Sequence, residues 1–288
     1  MWYLWFIVKK IYHLLMNVKF HFWKKYKNWK RLDKFEVHLT DHCNLNCAGC
    51  SHFSSIAEKY FMDINHFSND IERLSKLSGG KVCRLRLMGG EPLLHPDIIQ
   101  FIEIARRNFP KSIIEICTNG ILLGKMADGF WQSCHDNNIE INISYYPINL
   151  DYTAINKLAL KHKIILKAGI DTSMRNFRNL RMDLNGLQRY KKNWYNCGHA
   201  NSCVNLYEGK LFTCDVLAHS RHLSKYFDKP LEVAETDYVD IHKARDMKEI
   251  LKGISKPVKF CKYCRAKEEV VEEWHITEKK ITEWAMFG

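Results

Sequence analysis

The stretch that decides the fold is Phe35–Cys50, which reads FEVHLTDHCNLNCAGC. Its first six residues alternate between apolar and polar, and this period of two predicts a short strand that runs into a loop. The loop carries Cys43, Cys47 and Cys50 at C-x3-C-x2-C spacing. Three thiolates on one tight loop can hold three corners of a cubane iron–sulfur cluster, whereas a closed structural zinc site needs a fourth ligand that this loop lacks. The stretch therefore predicts a cluster with one iron open to another ligand.

The composition is that of a globular chain with metal-binding cysteines. The 288 residues suffice for one large α/β domain and a small one, and 46% of them are hydrophobic. Eleven cysteines are many for this length, and eight of them fall into two groups. In a chain without a secretory-signal pattern, grouped cysteines indicate metal binding rather than disulfides, and thiolate-bound clusters need a reducing compartment. We therefore expect a cytoplasmic protein, with the isolated Cys83, Cys117 and Cys134 in the core.

The positive charge is concentrated in the N-terminal segment, residues 1–34. This segment holds nine basic residues against Asp33 alone, a net charge of +8 out of the +12 of the chain. Its apolar run, Trp2–Val8, is far shorter than the roughly 20 residues that a spanning helix needs. Two interpretations fit the tryptophans and lysines that follow: a helix lying in a membrane interface, or an N-terminal helix packed on the main domain with a basic outer face. No recognition motif accompanies the charge, so no nucleic-acid binding is expected.

Strands and helices alternate after the cysteine loop. Further strands are predicted at Val82–Met88, Ser112–Cys117, Ile139–Tyr145 and Lys163–Lys167, with helices at about 65–78, 96–107, 125–137 and 151–162. This alternation predicts βαβ units and a parallel sheet that is closed or partly closed into a barrel. From about residue 176 the rhythm stops, and residues 175–192 are expected to be loop-like. A hairpin over residues 204–214 and a helix over residues 244–251 follow.

Polar motifs follow three of the predicted strands. Gly89–Pro92 comes after the second strand, Thr118–Gly120 after the third and Ser144 at the end of the fourth. Glycine lets the backbone approach a ligand closely, and the Glu91 carboxylate can accept from an ammonium group. Each motif alone would be an ordinary turn or strand end. Because parallel strands present their carboxyl ends at one face, where barrels keep their chemistry, we expect one shared site.

With these motifs, the chain from Glu36 to Cys264 resembles the radical S-adenosylmethionine (SAM) enzymes. The resemblance implies a partial (β/α)6 TIM-like barrel, with a [4Fe–4S] cluster on the three loop cysteines. It also implies that SAM chelates the open iron, that one electron cleaves SAM to a 5′-deoxyadenosyl radical, and that this radical removes hydrogen from a substrate. A low-potential donor such as flavodoxin or ferredoxin would supply the electron. The residues implied in SAM binding are Gly89, Gly90, Glu91, Pro92, Asn119 and Ser144.

One position departs from the family pattern. The residue before the third cysteine is commonly an aromatic that packs on adenine, and here it is Gly49. The adenine contact is therefore expected from a neighbour such as His52 or Phe53.

The distal cysteines resemble the auxiliary-cluster domain of many radical SAM enzymes, in its shorter twitch form. The matching positions are Cys197, Gly209, Cys214, Cys261 and Cys264. The resemblance implies a second [4Fe–4S] cluster on Cys197, Cys214, Cys261 and Cys264. Cys203 is the rival to Cys197, but it lies too near the glycine for the usual pattern. Zinc is the alternative metal for four such thiolates.

These observations predict three regions and rank the functions. The regions are the N-terminal segment 1–34, expected to be helical, a radical SAM core over 35–190, and a small α+β auxiliary-cluster domain over 191–288. The favoured function is an oxidoreductase or isomerase acting on a sugar, cyclitol or glycan intermediate. The alternatives are a peptide-modifying maturase and, from another class, a non-catalytic zinc-binding module that docks on membrane or nucleic acid. The expected location is cytoplasmic, or peripheral on the inner face of the membrane if the N-terminal segment lies in the interface.

Overall fold

The computed structural model describes residues 30–168, 176–268 and 270–286, and its main feature is an eight-stranded sheet. The strands are β1 (Lys34–Thr40), β2 (Arg84–Gly89), β3 (Ile113–Thr118), β4 (Ile139–Ile143), β5 (Ile165–Ala168), β6 (Asn176–Asn179), β7 (Asn205–Tyr207), β8 (Lys210–Phe212), β9 (Tyr238–Asp240) and β10 (Val270–Glu273). Their order in the main sheet is β5-β4-β3-β2-β1-β7-β8-β9. The helices are α1 (Ile64–Ser78), α2 (Ile98–Asn108), α3 (Asp128–Asp136), α4 (Tyr152–Lys161), α5 (Tyr190–Asn196), α6 (Asp215–Phe227) and α7 (Met247–Ile254).

Strands β1 to β5 pair in parallel and in chain order, with helices α1 to α4 in the connections. The predicted class, an α/β fold built on a parallel sheet, is confirmed. The sixth parallel strand is β7, which pairs with the free edge of β1 and begins a hairpin with β8. β6 instead pairs antiparallel with β10 outside the main sheet.

Local signals place the ends of α1 where the sequence predicts them. The Asp63 carboxylate accepts from the backbone N–H groups of Asn65 and His66, which satisfies two donors that a helix start leaves free. Gly79 ends the helix at φ 59°, in the left-handed region that glycine adopts without strain.

The stretch predicted to be loop-like, residues 175–192, is not irregular throughout. It contains β6 and the start of α5. That prediction was wrong because the partner of β6 lies at Val270–Glu273, about 90 residues away, and no local pattern shows such pairing.

The two faces of the parallel sheet differ in chemistry. On one face, Leu85, Leu87, Ile114 and Ile116 are fully buried in the main core with the apolar sides of the helices. The opposite face carries ion pairs across five strands, which we call the ionic ladder. Its members are Lys34, Glu36, Arg84, Arg86, Glu115, Glu140 and Lys167. Charged groups are buried only with partners, and the buried Glu36 and Glu115 have them here. This face of the sheet is therefore polar and does not form a second apolar core.

The C-terminal third contributes to two cores. Leu206, Leu211 and Ile250 belong to the main core. A second core surrounds Trp194, Phe260 and the distal cysteines. Among the described residues, no helix combines the length and apolar character that crossing a membrane requires. Most of the predicted helical N-terminal segment, residues 1–34, lies outside the described residues. Residues 30–34 are described, none of them is helical, and Lys34 begins β1.

Candidate active site

The cysteine loop lies at the carboxyl end of β1 and opens on a cavity formed with the ends of β2, β3 and β4. Asn46 and Gly49 have φ of 53° and 61°, which folds the loop tightly. The predicted site residues that line this cavity are Cys43, Cys47, Cys50, Gly89, Gly90, Asn119 and Ser144. Residues up to about 100 positions apart in sequence, on four separate loops, therefore meet at one place.

The surroundings of the three loop thiols fit the binding of a metal cluster. Burial raises the pKa of Cys43 to about 11 and that of Cys47 to about 12, and burial also raises the pKa of Cys50. The backbone N–H of Leu45 lies 3.4 Å from the Cys43 Sγ, and the indole N–H of Trp274 lies 3.2 Å from the Cys47 Sγ. Such donors stabilise thiolates, and bound iron supplies the positive charge that deprotonates buried thiols. The donor set therefore fits a three-cysteine iron–sulfur cluster.

The two glycines bring backbone segments together. A Cβ on Gly90 would lie 2.1 Å from the carbonyl oxygen of His42, and one on Gly89 would lie 2.2 Å from that of Thr40. The Gly90 N–H donates to the Thr40 carbonyl at 2.9 Å. The sequence predicted glycines for close approach to a ligand. In the structure, the absence of side chains at these glycines lets the loop after β2 pack directly against the backbone of the cysteine loop.

Glu91 holds two loops together. Its buried carboxylate accepts from the Leu93 N–H at 3.1 Å, the Thr118 hydroxyl at 2.7 Å and the Asn119 N–H at 2.9 Å. Burial raises the pKa of Glu91 to about 7. Neither Glu91 nor Pro92 lines the cavity. These protein donors join the β2 loop to the β3 loop through the Glu91 carboxylate. Contact of Glu91 with a ligand ammonium group stays a prediction from the sequence.

Asn119 and Ser144 are placed differently from Glu91. The Asn119 amide nitrogen donates to the side-chain oxygen of Asn44 at 2.7 Å and lies 3.7 Å from the Cys43 Sγ. Ser144 follows β4, where its N–H donates to the Thr118 carbonyl at 2.9 Å, and it lines the cavity as an exposed residue. Both side chains therefore face the space in which a ligand would lie.

The structure explains why position 49 is glycine. A Cβ there would lie 2.6 Å from the Asn179 amide nitrogen and 3.0 Å from the Glu283 carbonyl oxygen. The space beside position 49 is thus filled by two distant segments. Of the two residues proposed for the adenine contact, His52 lines the cavity, whereas Phe53 is 1% exposed and belongs to the second core.

The distal cysteines converge in the second core. Cys197, Cys214, Cys261 and Cys264 are all buried there, and burial together with the other three thiols and Asp215 raises the pKa of Cys214. Asn193 donates from its side chain to the carbonyls of Cys261 and Cys264, which joins the C-x2-C turn to α5.

Cys203 lies in a different group. Its ligand atom is within 4.8 Å of those of His199 and Asp215, and the His199 Nδ1 is 2.9 Å from the Asp215 carboxylate. Cys197, and not Cys203, is therefore the cysteine that shares the buried second core with Cys214, Cys261 and Cys264.

Sequence reasoning missed two residues beside the cysteine loop. Tyr146 approaches the Cys47 thiol and lines the cavity, and the Trp274 indole N–H donates to the same sulfur. Tyr146 could have been noticed, because it follows Ser144 by two positions at a strand end. Trp274 could not, since 227 positions separate it from Cys47.

Comparison with known proteins identifies the class to which this fold and site belong. The Radical SAM superfamily matches residues 37–183, which is half of the chain. The chain therefore belongs to the radical SAM superfamily, and membership implies a [4Fe–4S] cluster and SAM.

The similar proteins include cyclases and two solved structures. GTP 3′,8-cyclase of Chlorobaculum tepidum is 30% identical over 115 residues, which cover 40% of this chain and 33% of the cyclase. That of Petrotoga mobilis is 26% identical over 178 residues, 54% of each chain. BtrN in complex with AdoMet and 2-DOIA has a TM-score of 0.46 at 16% identity, covering 81% of this chain and 93% of BtrN. anSMEcpe with bound AdoMet has a TM-score of 0.48 at 13% identity, covering 82% and 84%.

Proposed function

We propose that this chain cleaves SAM reductively and uses the resulting 5′-deoxyadenosyl radical to remove hydrogen from a polar substrate of the sugar, cyclitol or glycan-intermediate class. The observation that carries the first part is the shared cavity. Cys43, Cys47 and Cys50 meet Gly89, Asn119 and Ser144 at the carboxyl ends of four neighbouring strands. The cluster would supply the electron for cleavage. The chain's own residues hold the cluster and present polar groups to SAM, with a flavodoxin or ferredoxin as the electron donor.

The ionic ladder supports a polar substrate. Two ladder residues lie next to the cavity lining. Arg86 is two residues before Met88 on β2, Glu115 is two residues before Cys117 on β3, and both Met88 and Cys117 line the cavity. Residues two apart on a strand share a face, so the ladder continues the cavity wall along the sheet. The Arg86 and Lys167 side chains are 27% and 41% exposed, whereas the Glu115 side chain is 2% exposed. Accessible cations over buried carboxylates favour hydroxyl-rich or charged substrates over apolar ones. A peptide substrate is the alternative outcome.

A second cluster is the proposed role of Cys197, Cys214, Cys261 and Cys264, within a twitch-like domain over 191–288. Their convergence in one buried core supports it. An auxiliary cluster could accept an electron from a substrate radical, which suits oxidation of an alcohol better than isomerisation. Contact of residues 1–34 with the inner face of a membrane, and a cytoplasmic location, stay predictions from the sequence.

The experiment is SAM cleavage by the anaerobically reconstituted protein with dithionite. We expect absorption near 400 nm, about eight irons per chain because each cubane holds four, and formation of 5′-deoxyadenosine. Replacing Cys43, Cys47 and Cys50 by alanine should abolish 5′-deoxyadenosine formation. Cys83→Ala is the matched control, because Cys83 lies outside both cysteine groups. Cleavage that survives in the triple variant, or a colourless protein that binds zinc, would contradict the proposal.

A further inference from the structure

The cysteine loop is covered by a distant part of the chain, residues 272–286, which we call the C-terminal segment. The Ala48 N–H donates to the His275 carbonyl at 3.1 Å, and the Thr277 N–H donates to the Asn46 carbonyl at 2.9 Å. Between them, Cys47 and Ile276 form an antiparallel bridge. The segment therefore lies along the middle of the cysteine loop, strand against strand.

The C-terminal segment is anchored on both sides of this bridge. Arg181 binds the Glu272 carboxylate at 2.7 and 2.9 Å, and it donates to the Thr282 carbonyl at 2.9 Å. Beyond these contacts, the Trp284 indole N–H donates to the Cys50 carbonyl at 3.0 Å, and the Trp284 side chain is fully buried. Charge-assisted contacts at both ends hold the segment in register.

This register brings the Trp274 side chain to the sulfur of Cys47, which Tyr146 also approaches. The Trp274 Nε1 lies 3.2 Å from the Cys47 Sγ. The Tyr146 side chain approaches the same thiol from the end of β4, and its ring lies edge-to-face with Trp274 at 6.2 Å. Hydrogen bonds to ligand sulfurs set the reduction potentials of iron–sulfur clusters. They do so because they stabilise the more negative, reduced state more than the oxidised one.

We propose that Trp274 is a positioning residue of the cluster site, whose indole N–H raises the reduction potential of the cluster held by Cys43, Cys47 and Cys50. Tyr146 acts on the same sulfur from the barrel side. The inference rests on the proposed function, since it takes Cys47 as a cluster ligand. It gives the C-terminal segment a task in the chemistry beyond covering the loop.

The test compares two tryptophans of the same segment. Trp274→Phe removes the donor to sulfur and keeps a ring of similar size, whereas Trp284→Phe removes a donor to a backbone carbonyl. Anaerobic redox titration of the reconstituted proteins without SAM, followed by the electron paramagnetic resonance of the reduced cluster, gives each midpoint potential. At the native midpoint, the ratio of reduced to oxidised cluster should fall about five-fold in Trp274→Phe, as expected for the loss of one hydrogen bond of ordinary strength. Trp284→Phe should leave the ratio unchanged, and Tyr146→Phe should lower it in the same direction as Trp274→Phe.

A second measurement uses the native protein and needs no substitution at Trp274. Tryptophan labelled with ¹⁵N in the indole ring should show a ¹⁵N coupling to the reduced cluster, and Trp284→Phe should retain that coupling. An unchanged midpoint in Trp274→Phe, or no coupling in a native protein that forms 5′-deoxyadenosine, would overturn the inference and leave the proposed function standing. Failure of the native protein to form 5′-deoxyadenosine would count against the proposed function itself.

Discussion

At the residue scale, Glu91 shows how a motif residue can act through its neighbours. Its sequence position suggested direct contact with a ligand, yet its carboxylate accepts three hydrogen bonds from protein groups and is fully buried. A buried carboxylate with several donors fixes loop geometry, because each donor loses its bond if the loop moves. The Asn119 side chain, which faces the Cys43 Sγ, depends on this arrangement.

We predict that Glu91 makes the stability of the cluster-free protein depend on pH. Burial raises its pKa from 4.5 to about 7. The folded protein therefore binds a proton that the unfolded chain has lost, and the free energy of unfolding falls as pH rises from about 4.5 to about 7. Glu91→Gln should remove about 2–3 kcal/mol of this fall, measured by urea unfolding at several pH values. The exposed Glu72→Gln is the control, and identical pH profiles for native protein and Glu91→Gln would refute the prediction.

At the element scale, the site depends on two backbone segments that nearly touch, the β2 loop and the start of the cysteine loop. The sequence showed both loops and their order, because the strands before them have a clear period of two. It did not show that Gly90 lies against the His42 carbonyl, since backbone proximity between residues 48 positions apart has no local signature.

Gly90→Ala should therefore damage the site. Its Cβ would meet backbone atoms of His42 at 2.1 and 2.3 Å, and backbone cannot rotate away as a flexible side chain can. We expect a loss of about 2–4 kcal/mol in the free energy of unfolding and a reduced 400 nm band after reconstitution. Gly124→Ala is the matched control, with nothing within 4 Å of its Cβ position and no change expected beyond about 0.5 kcal/mol. Equal stability of the two variants would show that the loops are not in this contact.

At the scale of the whole molecule, local and distant relations separate what the sequence predicts from what it does not. Strands β1 to β5, their helices and the parallel sheet follow from patterns within 15 residues. The C-terminal segment, the pairing of β6 with β10 and the reason for Gly49 depend on contacts across about 90 to 230 positions. Such contacts are set by tertiary packing, which single-sequence periodicity does not encode. The three cysteines and the strand-end motifs could be predicted, whereas Tyr146 and Trp274 could not be assigned to the same sulfur.

The two proposed clusters should be separable by substitution. Cys264→Ala removes a thiol of the second core, which shares no loop with Cys43, Cys47 or Cys50, so the iron content should fall by about half while 5′-deoxyadenosine formation without substrate persists. Cys203→Ala is the control, because Cys203 lies with His199 and Asp215 and should keep the full iron content. Iron analysis and the electron paramagnetic resonance of the reduced proteins distinguish these outcomes. If Cys203→Ala loses iron and Cys264→Ala does not, the second cluster has been assigned to the wrong cysteines. Zinc in that site, at one atom per chain, would replace the auxiliary cluster with a structural metal and remove the electron acceptor on which the proposed alcohol oxidation depends.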